Sequence, residues 1–346
     1  MGRQLPLLLL TLLTSASVSF AAIPGQAYLR WRRCGEEMTK LVHDKLGGRP
    51  KKSIVLTNAG WAKVQGEDTT ACLDGLAAKT GATVGRATLL RIHSAPTVPL
   101  WAFIGDFGNL TGCYVEVAKE QSELKIELSE KEDISLGNLS ANEASWNEKM
   151  GRRVFGGREF PIFAIANLRQ NNAPSELIDA ALFHDHLCPG LTSGWLIAKY
   201  VQQNFPLRGP KESYTFFSLG PWCKEDAIQV VLNCTAGKRS HTSLPADDAL
   251  QEQMKKHNIA GIVLRYNKRL RKGEGYVLSF RFPQSREKGW LGKIKTVLSL
   301  SKCKEPSSCV GVLKEFSLDG RHPNDFICRG ASIYENLGLF EEGIDE

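Results

Sequence analysis

The sequence predicts an α+β protein built from two similar units, each a helix, a strand and a second helix followed by two or three strands. Two observations predict this fold class. Stretches of helical and strand-like periodicity alternate along the chain, and the order of these stretches occurs twice. Because each stretch has an apolar side to bury, we expect a mixed sheet with helices packed on it.

The N-terminus has the pattern of a secretory signal peptide. Arg3 precedes an apolar run, Leu5 to Leu13, and small residues follow. This run is shorter than the roughly 20 residues that a membrane-spanning helix needs. We therefore assign residues 1–22 as a signal peptide, with a retained N-terminal anchor as the alternative. The mature chain is expected to be periplasmic or secreted and to have no membrane span.

The first unit is predicted over residues 30–130 and begins with a helix, Glu36 to Leu46, and a strand, Ser53 to Thr57. A second helix starts near Asp74. The strand-like runs that complete the unit are Ala87 to His93, Trp101 to Phe107 and Cys113 to Val117.

A connector is predicted over residues 131–177, in which Pro161 to Leu168 is expected to form an extra strand. The second unit is predicted over residues 178–285, and residues 286–346 form a cysteine-containing extension outside both units. The predicted elements of the second unit are a helix at Gly194 to Phe205, a strand at Ser213 to Leu219, a helix at Asp226 to Leu232, and strands at Ile259 to Tyr266 and Tyr276 to Phe282.

The second helices of the two units support an internal repeat. Asp74 to Arg86 and Asp226 to Lys238 have an aspartate, a threonine, a glycine and a basic residue at identical spacing. Chance similarity between two α/β segments is the alternative. Ala82 stands where the second unit has Cys234, so the first unit is expected to be a degenerate copy.

The charge pattern bears on partners. The formal net charge is +7, but basic and acidic residues are interspersed except at Lys268 to Lys272. That run lies between two apolar stretches, and we interpret it as an exposed hairpin turn, with a phosphate-binding or anionic-surface patch as the alternative. We predict no nucleic-acid binding; the expected partners are a small-molecule or metal ligand, and a protein partner is compatible with the sequence.

Two of the seven histidines, His184 and His186, lie close to a cysteine, Cys188, and the three residues occupy alternate positions. In an extended segment these alternate side chains would converge on one face. Pro189 suits the first position of a helix, and a thiol just before a helix is made more acidic. Imidazole and thiolate donors suit zinc well, and other transition metals acceptably.

Two further cysteines of the second unit, Cys223 and Cys234, flank the helix that contains Asp226. Together with the first three residues they give a predicted metal-ligand set of His184, His186, Cys188, Cys223 and Cys234. A disulfide between Cys223 and Cys234 is the alternative, because export favours oxidation.

Three residues near these ligands are candidates for catalysis. Asp185 and Asp226 are candidates for proton transfer, although Asp226 also suits the first turn of a helix. Lys238 follows a glycine and is a candidate anchor for an anionic substrate, with a purely structural role in the loop as the alternative.

The segment from Phe183 to Leu191 resembles the His-Gly-His-x-Cys-Pro-Gly signature of the FmdE family of formylmethanofuran dehydrogenase proteins. The segment from Cys223 to Lys238 resembles the second motif of that family, a Cys-x-x-Asp-Ala-Ile-Gln run leading into Gly-Cys-Thr-x-Gly-Lys. The resemblance covers roughly residues 178–285. Asp185 and Asn233 each replace a glycine of the family pattern.

The resemblance implies an α+β domain with a metal, most often zinc, near these histidines and cysteines, and it implies no particular reaction. We therefore expect an exported metal-binding protein that acts as a metal-dependent enzyme. The alternative is a non-catalytic module that binds or delivers a metal or cofactor in an extracytoplasmic redox complex. Three protein ligands plus water favour catalysis, whereas a saturated four-ligand site favours the alternative.

Overall fold

The structure is a computed structural model, and it describes residues 25–118, 125–219, 222–244, 248–283, 288–318, 320 and 322–323. The predicted signal peptide lies outside the described residues, and so does Cys328, one of the cysteines of the C-terminal extension. Within them, no helix has the length and apolar character that crossing a membrane requires.

Helices and strands are mixed along the chain, and five consecutive helices occupy residues 136–204. The helices are α1 Gly25–Leu46, α2 Cys72–Thr80, α3 Leu136–Ala141, α4 Glu143–Gly151, α5 Glu159–Gln170, α6 Ser175–Phe183, α7 Pro189–Asn204, α8 Lys224–Val231, α9 Asp248–Lys256 and α10 Gly289–Ser301. The strands are β1 Ser53–Thr57, β2 Lys63–Val64, β3 Glu67–Asp68, β4 Leu89–Arg91, β5 Trp101–Asp106, β6 Thr111–Val117, β7 Ile126–Leu128, β8 Glu132–Asp133, β9 Glu212–Leu219, β10 His241–Leu244, β11 Ile259–Asn267, β12 Lys272–Phe280 and β13 Val310–Ser317.

Eleven of the strands form two mixed sheets, which confirms the predicted α+β class, and β2 and β3 pair with each other. The first sheet has the order β4-β1-β5-β6-β7, with β8 also paired to β6. The second has the order β10-β9-β11-β12-β13. In each sheet the first strand of the unit pairs in parallel with the strand after the second helix and antiparallel with the next strand. The two units therefore have the same topology around their first three strands.

Two features of the second sheet bear on the predicted boundaries. Strand β13 lies in the part of the chain that we expected to be an extension outside both units, yet it pairs with β12. Strands β11 and β12 are antiparallel neighbours. The basic run at Lys268 to Lys272 is therefore the hairpin turn that the sequence predicts, continued into the first residue of β12.

The two helices of each unit cross at a glycine. A Cβ on Gly35 of α1 would lie 2.3 Å from the carbonyl oxygen of Cys72 in α2. In the second unit, a Cβ on Gly194 of α7 would lie 2.1 Å from the carbonyl oxygen of Lys224 in α8. Because real Cβ atoms do not approach backbone this closely, both crossings require glycine. Cys72 and Lys224 therefore occupy equivalent places in the two units.

The predicted extra strand at Pro161 to Leu168 is wrong, because these residues form part of helix α5. A short apolar run has the same periodicity in a buried strand and in a helix buried on all sides, so the pattern does not separate them. Every residue from Ile162 to Leu168 is buried. Pro161 lies in the first turn of α5, where a missing backbone N–H leaves no intrahelical hydrogen bond unmade.

One hydrophobic core extends through both units. It contains one face of the first sheet with Ile54 and Phe103, the buried helix α5, helices α6 and α7, and Phe216 of the second sheet. A second, smaller core lies between the other face of the first sheet and helices α1 and α2. Both faces of β1 are thus buried, which explains why three consecutive residues of this strand, Ile54 to Leu56, are apolar.

Candidate metal centre

The ends of three helices meet at the candidate metal centre. His184 is the residue at which α6 ends, and its backbone N–H donates to the Ala180 carbonyl. Cys188 precedes α7 in extended conformation and accepts a hydrogen bond from the Leu191 N–H at 3.4 Å. Cys223 precedes α8. The segment from His184 to Cys188 is therefore a helix-to-helix turn, and the predicted extended conformation holds only next to α7.

The turn nevertheless brings the predicted side chains together. His184, His186, Cys188 and Cys223 each offer one ligand atom, and all four atoms lie within 4.8 Å of one another. Tetrahedral zinc with Zn–S near 2.3 Å and Zn–N near 2.0 Å would separate its ligand atoms by roughly 3.3–3.8 Å. The cluster therefore needs only small side-chain adjustments to hold such an ion.

A carboxylate holds the first histidine. Nδ1 of His184 lies 2.6 Å from Oδ2 of Asp226 in α8. The other ring nitrogen, Nε2, is buried and makes no hydrogen bond with any described residue. Metal-binding histidines commonly use one ring nitrogen for the ion and give the other to a carboxylate. The orphaned Nε2 therefore fits a metal ligand.

Protonation of the metal-free histidine follows from the same neighbours. Burial lowers the pKa of His184, but the Asp226 carboxylate and the thiols of Cys188 and Cys223 outweigh burial and raise this pKa to about 10. A metal ion must displace that proton, because only the neutral imidazole coordinates.

His186 is held by its neighbour in sequence. Its Nδ1 lies 2.7 Å from Oδ1 of Asp185. This carboxylate and the Cys188 thiol raise the pKa of His186 to about 9, against the effect of burial. The two carboxylates that the sequence offers for proton transfer thus each bind a candidate ligand, a position suited to orienting the imidazole rings.

The two thiols are neighbours with different acidity. Burial raises the pKa of Cys188, but the imidazoles of His184 and His186 outweigh burial and lower this pKa to about 5. Burial and then the adjacent Cys188 raise the pKa of Cys223. A Cβ on Gly190 would lie 3.1 Å from the Cβ of Cys223 and 3.6 Å from both sulfurs. Glycine at this position therefore leaves room for the paired sulfurs.

Both departures from the family pattern occur where the backbone is left-handed. Asp185 has a φ of 67° and Asn233 a φ of 54°. Glycine adopts this conformation without strain, and asparagine and aspartate are the other residues that commonly do so. The substitutions therefore preserve the backbone path, and Asp185 adds a carboxylate to it.

The remaining two predicted site residues lie outside the cluster. Cys234 is buried, its Sγ lies 3.7 Å from the Ile228 carbonyl oxygen, and burial raises the pKa of its thiol to about 12. The described cysteines are all free thiols, so Cys223 and Cys234 form no disulfide. Lys238 is exposed and donates to the carbonyl and side-chain oxygens of Asn233.

A cleft of about 790 Å³ adjoins the cluster. Its lining includes His184, Cys223 and Asp226, and also Gln229 and the exposed Trp222. No motif or spacing in the sequence pointed to the other polar lining residues, which are Glu225, His241, Thr242 and Ser243.

Beneath this cleft lies a buried network of charged and polar groups. Lys224, Glu225 and His241 are 5%, 5% and 6% exposed. Burial would raise the pKa of Glu225, but His241, Lys224 and Ser218 hold it below its ordinary value. The sequence signal for this network is weak, since its members are dispersed over three elements.

Residues 183–301 match the model of the family described as FmdE, molybdenum formylmethanofuran dehydrogenase operon. The match covers about a third of the chain and confirms that this part is FmdE-like. It includes all four clustered side chains and ends with α10. The match leaves out the first unit, so the tandem copy stays a prediction. No curated protein matches the chain.

Proposed function

We propose that this is an exported zinc protein whose metal is held by His184, His186, Cys188 and Cys223, and that the centre is non-catalytic. The convergence of four ligand atoms carries the proposal. Four protein ligands saturate tetrahedral zinc and leave no position for water or substrate. The chain would then bind or deliver a metal or cofactor, the second of the two functions that the sequence leaves open.

The chemistry of the donors supports zinc. Two imidazoles and two thiolates form one of the common zinc ligand sets, whereas magnesium and calcium prefer oxygen ligands. The carboxylates of Asp226 and Asp185 would orient the imidazoles of His184 and His186. Export rests on the sequence pattern of residues 1–22.

The adjoining cleft supports a second candidate, a metal-dependent enzyme. His184, Cys223 and Asp226 form part of the cleft wall, so a ligand in the cleft would lie next to the metal. If one thiol were displaced, the metal would gain an open position and could polarise a bound carbonyl. Asp226 would then be the nearest carboxylate for proton transfer.

Metal analysis and X-ray absorption at the zinc edge distinguish these functions. We expect one zinc ion per chain in the purified mature protein, with two nitrogen and two sulfur ligands. Loss of one sulfur in favour of oxygen would support the enzyme instead. Less than about a tenth of a metal ion per chain after mild purification would contradict both.

A pair of variants separates a metal site from a purely architectural cluster. Cys188→Ser and His186→Ala each remove one donor, so both are expected to fold and to lose most of the zinc. Circular dichroism reports the fold and mass spectrometry under native conditions reports the bound metal. A variant that keeps full zinc occupancy would show that the replaced residue is not a zinc ligand.

A further inference from the structure

The first turn of α8 is tied to two strands by a buried polar network. Nζ of Lys224 donates to Oγ of Ser218 at 2.8 Å and also to the Glu225 carboxylate. Oγ of Ser218 donates to Oε1 of Glu225 at 2.5 Å, and Nε2 of His241 lies 2.9 Å from Oε2. Since Ser218 is in β9 and His241 in β10, the network links the helix to neighbouring parallel strands.

The first unit builds the same fold without this network. The glycine crossings make Cys72 equivalent to Lys224, so Leu73 stands in the place of Glu225. In the parallel strand pairs, Val55 of the first unit lies opposite Leu89, and Phe216 of the second unit lies opposite His241. Leu89 therefore occupies in the first unit the position that His241 occupies in the second.

These replacements matter for the energetics. Buried ion pairs often contribute little to stability, because the cost of removing charges from water offsets their attraction. The first unit forms the helix-on-sheet arrangement with Cys72 and Leu89 buried in these places. The network is therefore not required by the topology, and another role has to account for it.

The metal cluster lies directly beside the network. Cys223 precedes Lys224 in the chain, and Asp226, which holds His184, follows Glu225. The backbone of Lys224 is also pressed against Gly194 of α7, the helix that begins next to Cys188. A shift or rotation of the first turn of α8 would therefore move one ligand and the partner of another at the same time.

We propose that Glu225, with Lys224 and His241, is a positioning residue of the metal centre. This inference rests on the metal site proposed above. The network fixes the first turn of α8 so that the Cys223 thiol and the Asp226 carboxylate meet the ligands from α6 and α7. It stabilises the arrangement of the ligands, and it is dispensable for the fold.

The test compares two variants. One is Glu225→Gln, and the other is a triple variant that combines Lys224→Met, Glu225→Leu and His241→Leu, so that these places of the second unit become apolar like those of the first. We expect both to bind zinc roughly 10- to 100-fold more weakly than the wild type in competition with a chromophoric chelator. The cobalt-substituted proteins should show weakened or shifted d–d bands. Glu225→Gln leaves Lys224 buried without its counter-charge, so it also lowers the melting temperature.

The triple variant removes the Lys224–Glu225 ion pair and the His241 imidazole together, so it leaves no buried charge of this network without a partner and should melt within a few degrees of the metal-free wild type. Glu274→Gln is the matched control: Glu274 pairs with the buried Arg265 elsewhere in the same sheet, and its loss should leave zinc affinity unchanged. A triple variant with wild-type zinc affinity and an unchanged cobalt spectrum would overturn the positioning role alone. Wild-type protein that binds no zinc would overturn the proposed function, and this inference with it.

Discussion

The two histidines of the centre are held by carboxylates of different origin. Asp226 reaches His184 from another helix and is 33% exposed, whereas Asp185 is the neighbour of His186 in the chain and is 58% exposed. Charge interactions weaken as water surrounds the groups. The bond between His184 and Asp226 should therefore contribute more to holding the ligand set.

Replacing Asp226 by asparagine tests that contribution. Asp226→Asn keeps the size of the side chain and removes its charge, so the His184 imidazole becomes a weaker donor. We expect zinc affinity to fall roughly 10- to 100-fold, measured by competition with a chelator. The residue of the first unit that aligns with Asp226 is Asp74, whose carboxylate accepts a hydrogen bond from the Tyr28 hydroxyl. Asp74→Asn should therefore leave the zinc affinity unchanged. Equal affinities for both variants would contradict this assignment.

The cysteines give a second prediction at this scale. Cys234→Ala should retain full zinc occupancy, because its thiol lies outside the cluster, whereas Cys223→Ala should lose the metal. Burial of Cys234 should also protect it from alkylation in the folded protein. Native mass spectrometry after brief treatment with iodoacetamide measures both effects. Loss of zinc in Cys234→Ala would restore this residue to the ligand set.

Among the elements, periodicity and spacing predict some correctly and others not. Helices α7 and α8 follow from apolar periodicity and from Pro189, and the cysteines at their starts are two of the four clustered side chains. Helix α5 is mistaken for a strand because it is buried on every side. Cys234 joins the predicted ligands because of its spacing after α8, but spacing does not determine whether a thiol faces the site or the core.

The helix crossing at Gly194 connects packing to the proposed metal site. Gly194→Ala would press a methyl group against the Lys224 carbonyl, and overpacking of this kind costs about 1–3 kcal/mol. Because α8 must then move, zinc affinity should fall as well. Gly35→Ala makes the equivalent clash in the first unit. It should destabilise the chain similarly in urea unfolding and leave zinc affinity unchanged; equal losses of affinity would refute the local connection.

Across the whole molecule, the two units share one core. Buried residues of the first sheet, of α5 and of α7 belong to the same cluster. Arg169 of α5 adds polar contacts, since its guanidinium donates to the carbonyls of Arg86 and Ala87 in the first unit. The FmdE-like region therefore packs against chain that lies outside the family match.

This shared core predicts that the second unit is not stable alone. A chain that starts at residue 172 would lack α5 and expose the apolar side chains of α6, including Leu177 and Ile178. We expect it to aggregate or to remain partly unfolded, and to bind zinc below one ion per chain. Size-exclusion chromatography with metal analysis measures this, and the full chain is the control. A monomeric fragment with full zinc occupancy would contradict the prediction.

The left-handed backbone at Asp185 also bears on how relatives are recognised. A strict search pattern with glycine at that position describes only one way of making the turn. Three residue types, glycine, asparagine and aspartate, commonly adopt the left-handed conformation that this turn requires. Sequences with either of the latter two would keep the path of the chain while altering the charge beside the second imidazole. A search pattern that allows all three residues at this position would find related sequences whose turn has the same geometry but a different charge beside the histidine.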